Sequence, residues 1–198
     1  MDAIILAAGE NVRLQAAGLA PGRKPLIIRD GEVLIRRLCR QVVSHVSEII
    51  IVVSPANVED IIFATKEFHP YYVVQPSATG PQRAVDLALH ATHSSSHVLL
   101  MGDNFIQEYK HYTVTREGGP GVYVSVSDDI HLHAIDDDGR FMDEQDRWVH
   151  ARTRTRWLGP VYFSNDEWTC GRNDWVSAFK GTEFTLLKRD DIEDMGTL

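Results

Sequence analysis

Four short apolar runs mark the first half of the chain, and a longer stretch of mixed polarity separates each from the next. Residues 3–8, 48–54 (EIIIVVS) and 97–102 (HVLLMG) are continuous apolar runs of strand length, and 71–75 (YYVVQ) is a shorter run of the same kind. Unbroken rather than alternating apolar sequence is the pattern of strands buried on both faces. Between them, 32–46 (EVLIRRLCRQVVSHV), 56–67 and 81–93 read as helices. In the first of these, Val33, Leu34, Leu38, Val42, Val43 and Val46 recur at helical spacing, with arginines on the other side.

The alternation of strand and helix predicts an α/β fold, a mostly parallel sheet with helices on both faces. Such sheets bind ligands beyond the carboxyl ends of their strands. The segments to inspect are therefore Gly9 to Arg13, Gln75 to Gly80, and Gly102 to Asn104.

The second half is patterned differently. Strands are predicted at 121–126 (GVYVSV), 131–136 (HLHAID) and 157–163 (WLGPVYF), with turn-rich sequence between them, notably DDDG at 136–139. A helix is expected at 165–180 and a short strand at 184–188. With no linker, repeat or low-complexity tract, residues 1–198 are expected to form a single domain carrying added strands.

Composition narrows the function classes. In a chain of 198 residues, 43% are hydrophobic and 24% charged, values of an ordinary globular protein. No apolar run is long enough to span a bilayer. The first residues lack the basic segment of a signal peptide, and Cys39 and Cys170 are far apart, so a cytoplasmic protein with reduced thiols is expected. A net charge of −8 disfavours nucleic acid as a partner. It leaves room for a small anion held by a few local cations. His131 and His133 lack the companions a metal site needs.

The small-residue turn after the first run can turn backbone N–H groups towards phosphate, with Arg13 and then Lys24 of GRKPL close by. Gln75 can read the edge of a base, and Gly80 permits close backbone approach. Asp103 suits an oxygen-ligated divalent cation, although Asp and Asn at a strand end are also ordinary helix caps. The terminal acids Asp190, Asp191, Glu193 and Asp194 offer a second carboxylate.

Taken in order, LAAGENVRL…RKPL, QPSATG, MGDN, GPVYF and DMGT resemble the motif succession of the sugar-1-phosphate nucleotidyltransferases. The glucose-1-phosphate thymidylyltransferase type is nearest. The resemblance spans almost the whole chain and implies the Rossmann-like sheet of nucleotide-diphospho-sugar transferases. It implies transfer of a nucleoside monophosphate from a nucleoside triphosphate, TTP or UTP in preference, to a sugar-1-phosphate. Pyrophosphate would leave, and Mg²⁺ would be the cofactor.

Residue by residue, the family's L-A-A/G-G-x-G-x-R signature falls on Leu6, Ala8, Gly9, Asn11 and Arg13. Arg13 and Lys24 match the triphosphate cations, Gln75 and Gly80 the base contacts, and Asp103 and Asp194 the Mg²⁺ carboxylates. Asn104 and Gly159 match positions beside the acceptor. Asp146 and Arg147 stand where the family's acidic-lysine pair faces the sugar and its phosphate.

The departures collect on the acceptor side. Asn11 replaces a glycine, but Asn best tolerates the left-handed backbone after Gly. Asp146-Arg147 replaces Glu-Lys-type chemistry with a shorter acid and a planar cation, and His131 or Leu132 stands where a sugar-contacting glycine is expected. The chain also ends soon after Gly196-Thr197, where relatives continue, so a minimal version is expected. Two alternatives stay open: a cytidylyltransferase acting on a non-sugar phosphorylated alcohol, and a non-catalytic nucleotide-binding homologue. Oligomeric state is left open as well.

Overall fold

In a computed structural model of the chain, the four apolar runs become four neighbouring parallel strands. The structure describes residues 1–10, 18, 20, 22–106, 122–127, 156–172, 178–179, 184–188 and 192–194, with backbone alone for 122–127, 156–159, 184–188 and 192–194. Strands β1 (Asp2–Leu6), β4 (Ile49–Val53), β5 (Tyr71–Val74) and β6 (Ser96–Met101) pair side by side in the order β5-β4-β1-β6. All five residues of β4 are buried, as its unbroken β-branched sequence requires. The sheet edge falls at β5, so Tyr71 and Val74 remain about half exposed there, at 50% and 47%.

Alternate residues of these strands point to opposite faces and build two cores. Ile4, Ile50, Val52 and Leu99 pack with Ala84, Val85 and Ala88 of helix α3 (Pro81–Leu89). On the other face Ile5, Ile51, Val53, Val98 and Leu100 meet Ile35, Leu38, Cys39 and Val42 of helix α1 (Leu34–Val42). Ile61 of helix α2 (Val58–Thr65) joins that second core.

Helix α1 is shorter than the span 32–46 predicts, for a local reason. Asp30 and Gly31 both take positive φ, 51° and 78°, and form the two-residue turn of a hairpin between β2 (Ile28–Arg29) and β3 (Glu32–Val33). Glu32 and Val33 are thereby committed to a strand. Glu32 then accepts two hydrogen bonds from Arg40 of α1, at 3.0 and 2.8 Å, which fasten the hairpin to the helix.

The rest of the main sheet continues as β6-β9-β8-β10, from β8 (Val122–Ser127), β9 (Arg156–Ser164) and β10 (Phe184–Lys188). Among the described strands of this sheet, only β9 runs antiparallel to its neighbours. The predicted strand at 131–136 lies outside the described residues. The predicted helix at 165–180 does not form over 165–172. A single 3₁₀ turn, Asn165–Glu167, is closed by a capping box between Ser164 and Glu167, and Trp168 then leaves in extended conformation. Its indole packs at 4.9 Å from Phe179 and donates to Asp86 of α3 at 2.8 Å, so a core anchor replaces the helix. Residues 173–177 of that predicted helix lie outside the description.

A short strand β7 (Asn104–Ile106) follows β6 and pairs antiparallel with β11 (Ile192–Asp194). Among the described residues, no helix is long and apolar enough to cross a membrane.

At the amino end of the sheet, the buried carboxylate of Asp2 accepts from Ser94 Oγ at 2.6 Å and from the amides of Ser94 and His93. His97 is fully buried beside it; its Nε2–H donates to Asn165 Oδ1 at 2.6 Å while Nδ1 has no partner. Burial pushes the His97 pKa below the ordinary value of 6.5, against the opposing pull of Asn165 and Asp2. A histidine held neutral in the fold contributes stability that is present above its unfolded pKa and lost as pH falls below it. Acidification from pH 7.5 to 5.5 is therefore expected to lower Tm more in the wild type than in His97→Gln; equal shifts in thermal melts would contradict this.

Candidate active site

The carboxyl ends of β1 and β6 meet where the chain reverses its direction of travel across the sheet, the place where such sheets leave a crevice. Their contact is tight. The Gly102 amide donates to the Leu6 carbonyl at 2.8 Å, and a Cβ on Gly102 would sit 2.8 Å from that same oxygen. Glycine is required here by close approach and not by its φ. β1 therefore releases Ala7, Ala8, Gly9 and Glu10 on one lip, and β6 releases Asp103 on the other.

Between these lips lies a cleft of about 400 Å³, lined by Leu6 to Glu10, Pro25, Met101 and Asp103, and by Gln75, Ala78, Gly80, Pro81 and Ala84 from the β5–α3 side. Its size is that of a small-molecule site. The wall is mostly apolar near Leu6, Pro25, Met101 and Ala84, and polar groups stand at its margins.

Lys24 opens a 3₁₀ turn, Lys24–Leu26, whose buried Pro25 forms part of the wall. Its ammonium is ion-paired with Asp103 Oδ2 across the cleft mouth. Both side chains are largely sheltered, at 12% and 27% exposure. A cation and a carboxylate 79 residues apart in sequence thus meet at the end of β6.

Gln75 is buried, at 4% exposure, where β5 ends. Its Nε2 donates to Thr79 Oγ1 at 3.1 Å and to the Gly80 carbonyl at 3.0 Å. A carbonyl can only accept, so this contact fixes which end of the amide faces the loop. The acceptor Oε1 is the end left for a ligand. Gly80 itself has φ 96°, a conformation natural to glycine, and hands the chain to Pro81 at the first position of α3.

The predicted site residues divide into three groups. Leu6, Ala8, Gly9, Gln75, Gly80 and Asp103 line the cleft, and Lys24 joins them through Asp103. Asn104 is buried at the start of β7, and the register of β7 with β11 sets Asp194 opposite it, one residue from Asp103. Directly opposed residues of such a pair lie about 4.5–5.5 Å apart at Cα. Gly159 lies in β9, two residues before Val161, which pairs with Leu99 of β6. Asn11, Arg13, Asp146 and Arg147 lie outside the described residues.

One polar residue beside the cleft has no counterpart in the sequence reading. Asn57, 1% exposed, bonds at once to Ala7, Gly22 and Ser54. Its only sequence signal is an Asn just before a helix, which reads as a cap. Among the described residues, no group of three or more His, Cys, Asp or Glu side chains gathers as a metal site.

Replacing Gln75 by Glu would set a carboxylate against the Gly80 carbonyl. The expected loss of stability is about 1–3 kcal/mol, greater than that of Gln75→Leu, because an acceptor facing an acceptor is worse than none. Chemical denaturation of the two variants checks the order, and a Glu variant as stable as the Leu variant would contradict the amide orientation.

Residues 3–133 match the family model of the MobA-like NTP transferase domain. No curated protein matches the chain at a significant level. Among solved structures, a putative glucose-1-phosphate thymidylyltransferase from Bacillus anthracis, in complex with sucrose, superposes with a TM-score of 0.75 at 17% identity, over 99% of this chain and 90% of that one. HddC from Yersinia pseudotuberculosis, complexed with GMP-PN, gives 0.71 at 16% identity over 98% and 93%. The inositol-1-phosphate CTP transferase of T. maritima gives 0.65 at 14% identity over 94% and 84%. At such identities these likenesses establish the fold, a mostly parallel sheet flanked by helices.

Proposed function

Because the chain belongs to the MobA-like NTP transferase family and is thus a nucleotidyltransferase, we propose that it transfers a nucleoside monophosphate, with Mg²⁺, from a nucleoside triphosphate to a sugar-1-phosphate. One observation carries the reading most: Lys24 and Asp103 meet at the mouth of a cleft whose other lip is the small-residue turn after β1. A triphosphate needs a cation and a backbone cradle, and its metal needs a carboxylate; the three converge here.

In this reading Ala8 and Gly9 offer backbone N–H groups to the phosphates, and Lys24, with Arg13, neutralises the triphosphate and the departing pyrophosphate. Gln75 presents Oε1 to a ring N–H on the pairing edge of the base, such as the N3–H of thymine or uracil. An acceptor phosphate oxygen attacks the α-phosphorus in line as the bond to pyrophosphate breaks. The attacking oxygen is already anionic, so the site has no need of a general base, and rate comes from positioning and charge neutralisation.

The donor set suits Mg²⁺: Asp103 is a hard oxygen donor at the cleft, and the β7–β11 register brings the Asp194 backbone close by. Asp103 and Asp194 would hold the ion, which would supply a counter-charge to the phosphates. Asp146, Arg147 and Gly159 are assigned to the acceptor.

A second reading changes the acceptor and base. The T. maritima neighbour is a CTP transferase for a phosphorylated cyclitol, and the chain's departures from the thymidylyltransferase pattern lie on the acceptor side.

Both readings are tested by pyrophosphate release across the nucleoside triphosphates with a panel of phosphorylated sugars and alcohols. Turnover is expected with Mg²⁺, lost in EDTA and restored by added Mg²⁺. Lys24→Ala and Asp103→Asn should each lower kcat by ~10²–10³. TTP or UTP with a sugar-1-phosphate supports the first reading, and CTP with a phosphorylated alcohol the second. Absence of turnover with every pair, from folded protein, would contradict both and leave a nucleotide-binding homologue.

A further inference from the structure

We propose that Asn57 is a positioning residue for the nucleotide, setting the gap between the phosphate-facing turn after β1 and Lys24. The inference rests on the nucleotidyltransferase reading of the cleft and names a residue that reading does not use. Asn57 is absent from the cleft lining and can act only through what it holds.

Its bonds reach three separate loops at the carboxyl end of the sheet. Oδ1 accepts from the Ser54 amide at 2.9 Å; Nδ2 donates to the Ala7 carbonyl at 2.8 Å and to the Gly22 carbonyl at 3.0 Å. Both backbone polar groups of Ala7 are thereby held, because its N–H also donates to the Val52 carbonyl at 2.8 Å. Gly22 lies two residues before Lys24, and Ala7 lies one before Ala8. The same amide group thus ties the root of the cation to the root of the backbone cradle.

Gly22 is shaped to this contact. It takes φ 70°, and a Cβ there would meet Asn57 Nδ2 at 3.0 Å and Asn57 Cβ at 3.1 Å. Only glycine lets that loop lie against Asn57 in this conformation. Buried at 1% exposure, Asn57 spends both N–H donors and one of the two acceptor sites of Oδ1 on these partners. Asp would keep the shape and the bond from Ser54 but face two carbonyls with an acceptor. Gln is one methylene too long to hold the same three partners.

A residue that only stabilised the fold would lower Tm and leave the contribution of Lys24 intact. A positioning residue makes the two non-additive. The experiment is a double-mutant cycle on the affinity for a non-hydrolysable triphosphate analogue with Mg²⁺ and no acceptor, using the full chain with Lys24→Ala, Asn57→Asp and the double variant. The analogue carries whichever base the wild type binds best. Asn57→Asp alone is expected to weaken binding about tenfold. Lys24→Ala, costly in the wild type, is expected to cost several-fold less in the Asn57→Asp background.

Ile61→Val, a core change in helix α2 just after Asn57, serves as the stability control and is expected to leave affinity unchanged. If Asn57→Asp fails to fold, Gly22→Ala displaces the contact from its other side, and the same loss and the same non-additivity with Lys24→Ala are expected. Equal costs of Lys24→Ala in both backgrounds, or an Asn57→Asp affinity equal to that of the wild type, would overturn the inference. A wild type that binds none of ATP, GTP, CTP, UTP and TTP would overturn the nucleotidyltransferase reading and this inference together.

Discussion

The hydrogen bond from the Gly102 amide to the Leu6 carbonyl closes the seam on which the rest of the site depends. β1 and β6 are distant in sequence and adjacent in the sheet, paired in parallel from Asp2↔His97 to Leu6↔Met101. Where they end, the backbones stay in contact only because Gly102 has no Cβ to meet the Leu6 oxygen. The small-residue turn and the aspartate then leave from neighbouring points, and a cleft opens between them. A wider seam would separate the phosphate-facing turn from Asp103 and leave Lys24 with no carboxylate to meet.

Lys24 and Asp103 pair their charges at that seam. The chain carries a net charge of −8, yet its described cleft mouth holds a cation and an anion as each other's counterions. Partly sheltered from water, neither is comfortable alone. A triphosphate and a divalent ion would offer each a new partner of the right sign, so the charges paired at the mouth are those that the proposed chemistry uses. Asn57 ties the β1 lip to the loop that carries Lys24, through the Ala7 and Gly22 carbonyls.

Much of this is legible in the amino-acid sequence. Unbroken β-branched runs such as IIIVV belong to strands buried on both faces, and their parallel order follows from the helices between them. Such sheets bind ligands past their strand ends, and Gln75, Gly80 and Asp103 line the cleft there. The sequence misled where a local signal had a competing use. Glu32 and Val33 fit helical spacing, but the Asp30-Gly31 turn claims them for a hairpin. Asn165 to Arg172 looked helical, but Trp168 is worth more in the core than a continued helix. Asp103 and Asn104 read equally well as a helix cap, and the pairing of β7 with β11 could not be foreseen from either segment alone. Asn57 was hidden because its three partners are backbone groups, which carry no mark in the sequence.

The nucleotidyltransferase reading is tested most directly by a crystal structure with a non-hydrolysable UTP or TTP analogue and Mg²⁺. The expected result has the triphosphate between Ala8–Gly9 and Lys24, Gln75 Oε1 accepting from the base N–H, and the ion shared by Asp103 and Asp194. A nucleotide bound elsewhere, or a cleft that stays empty with Lys24 still on Asp103 at saturating analogue, would contradict it.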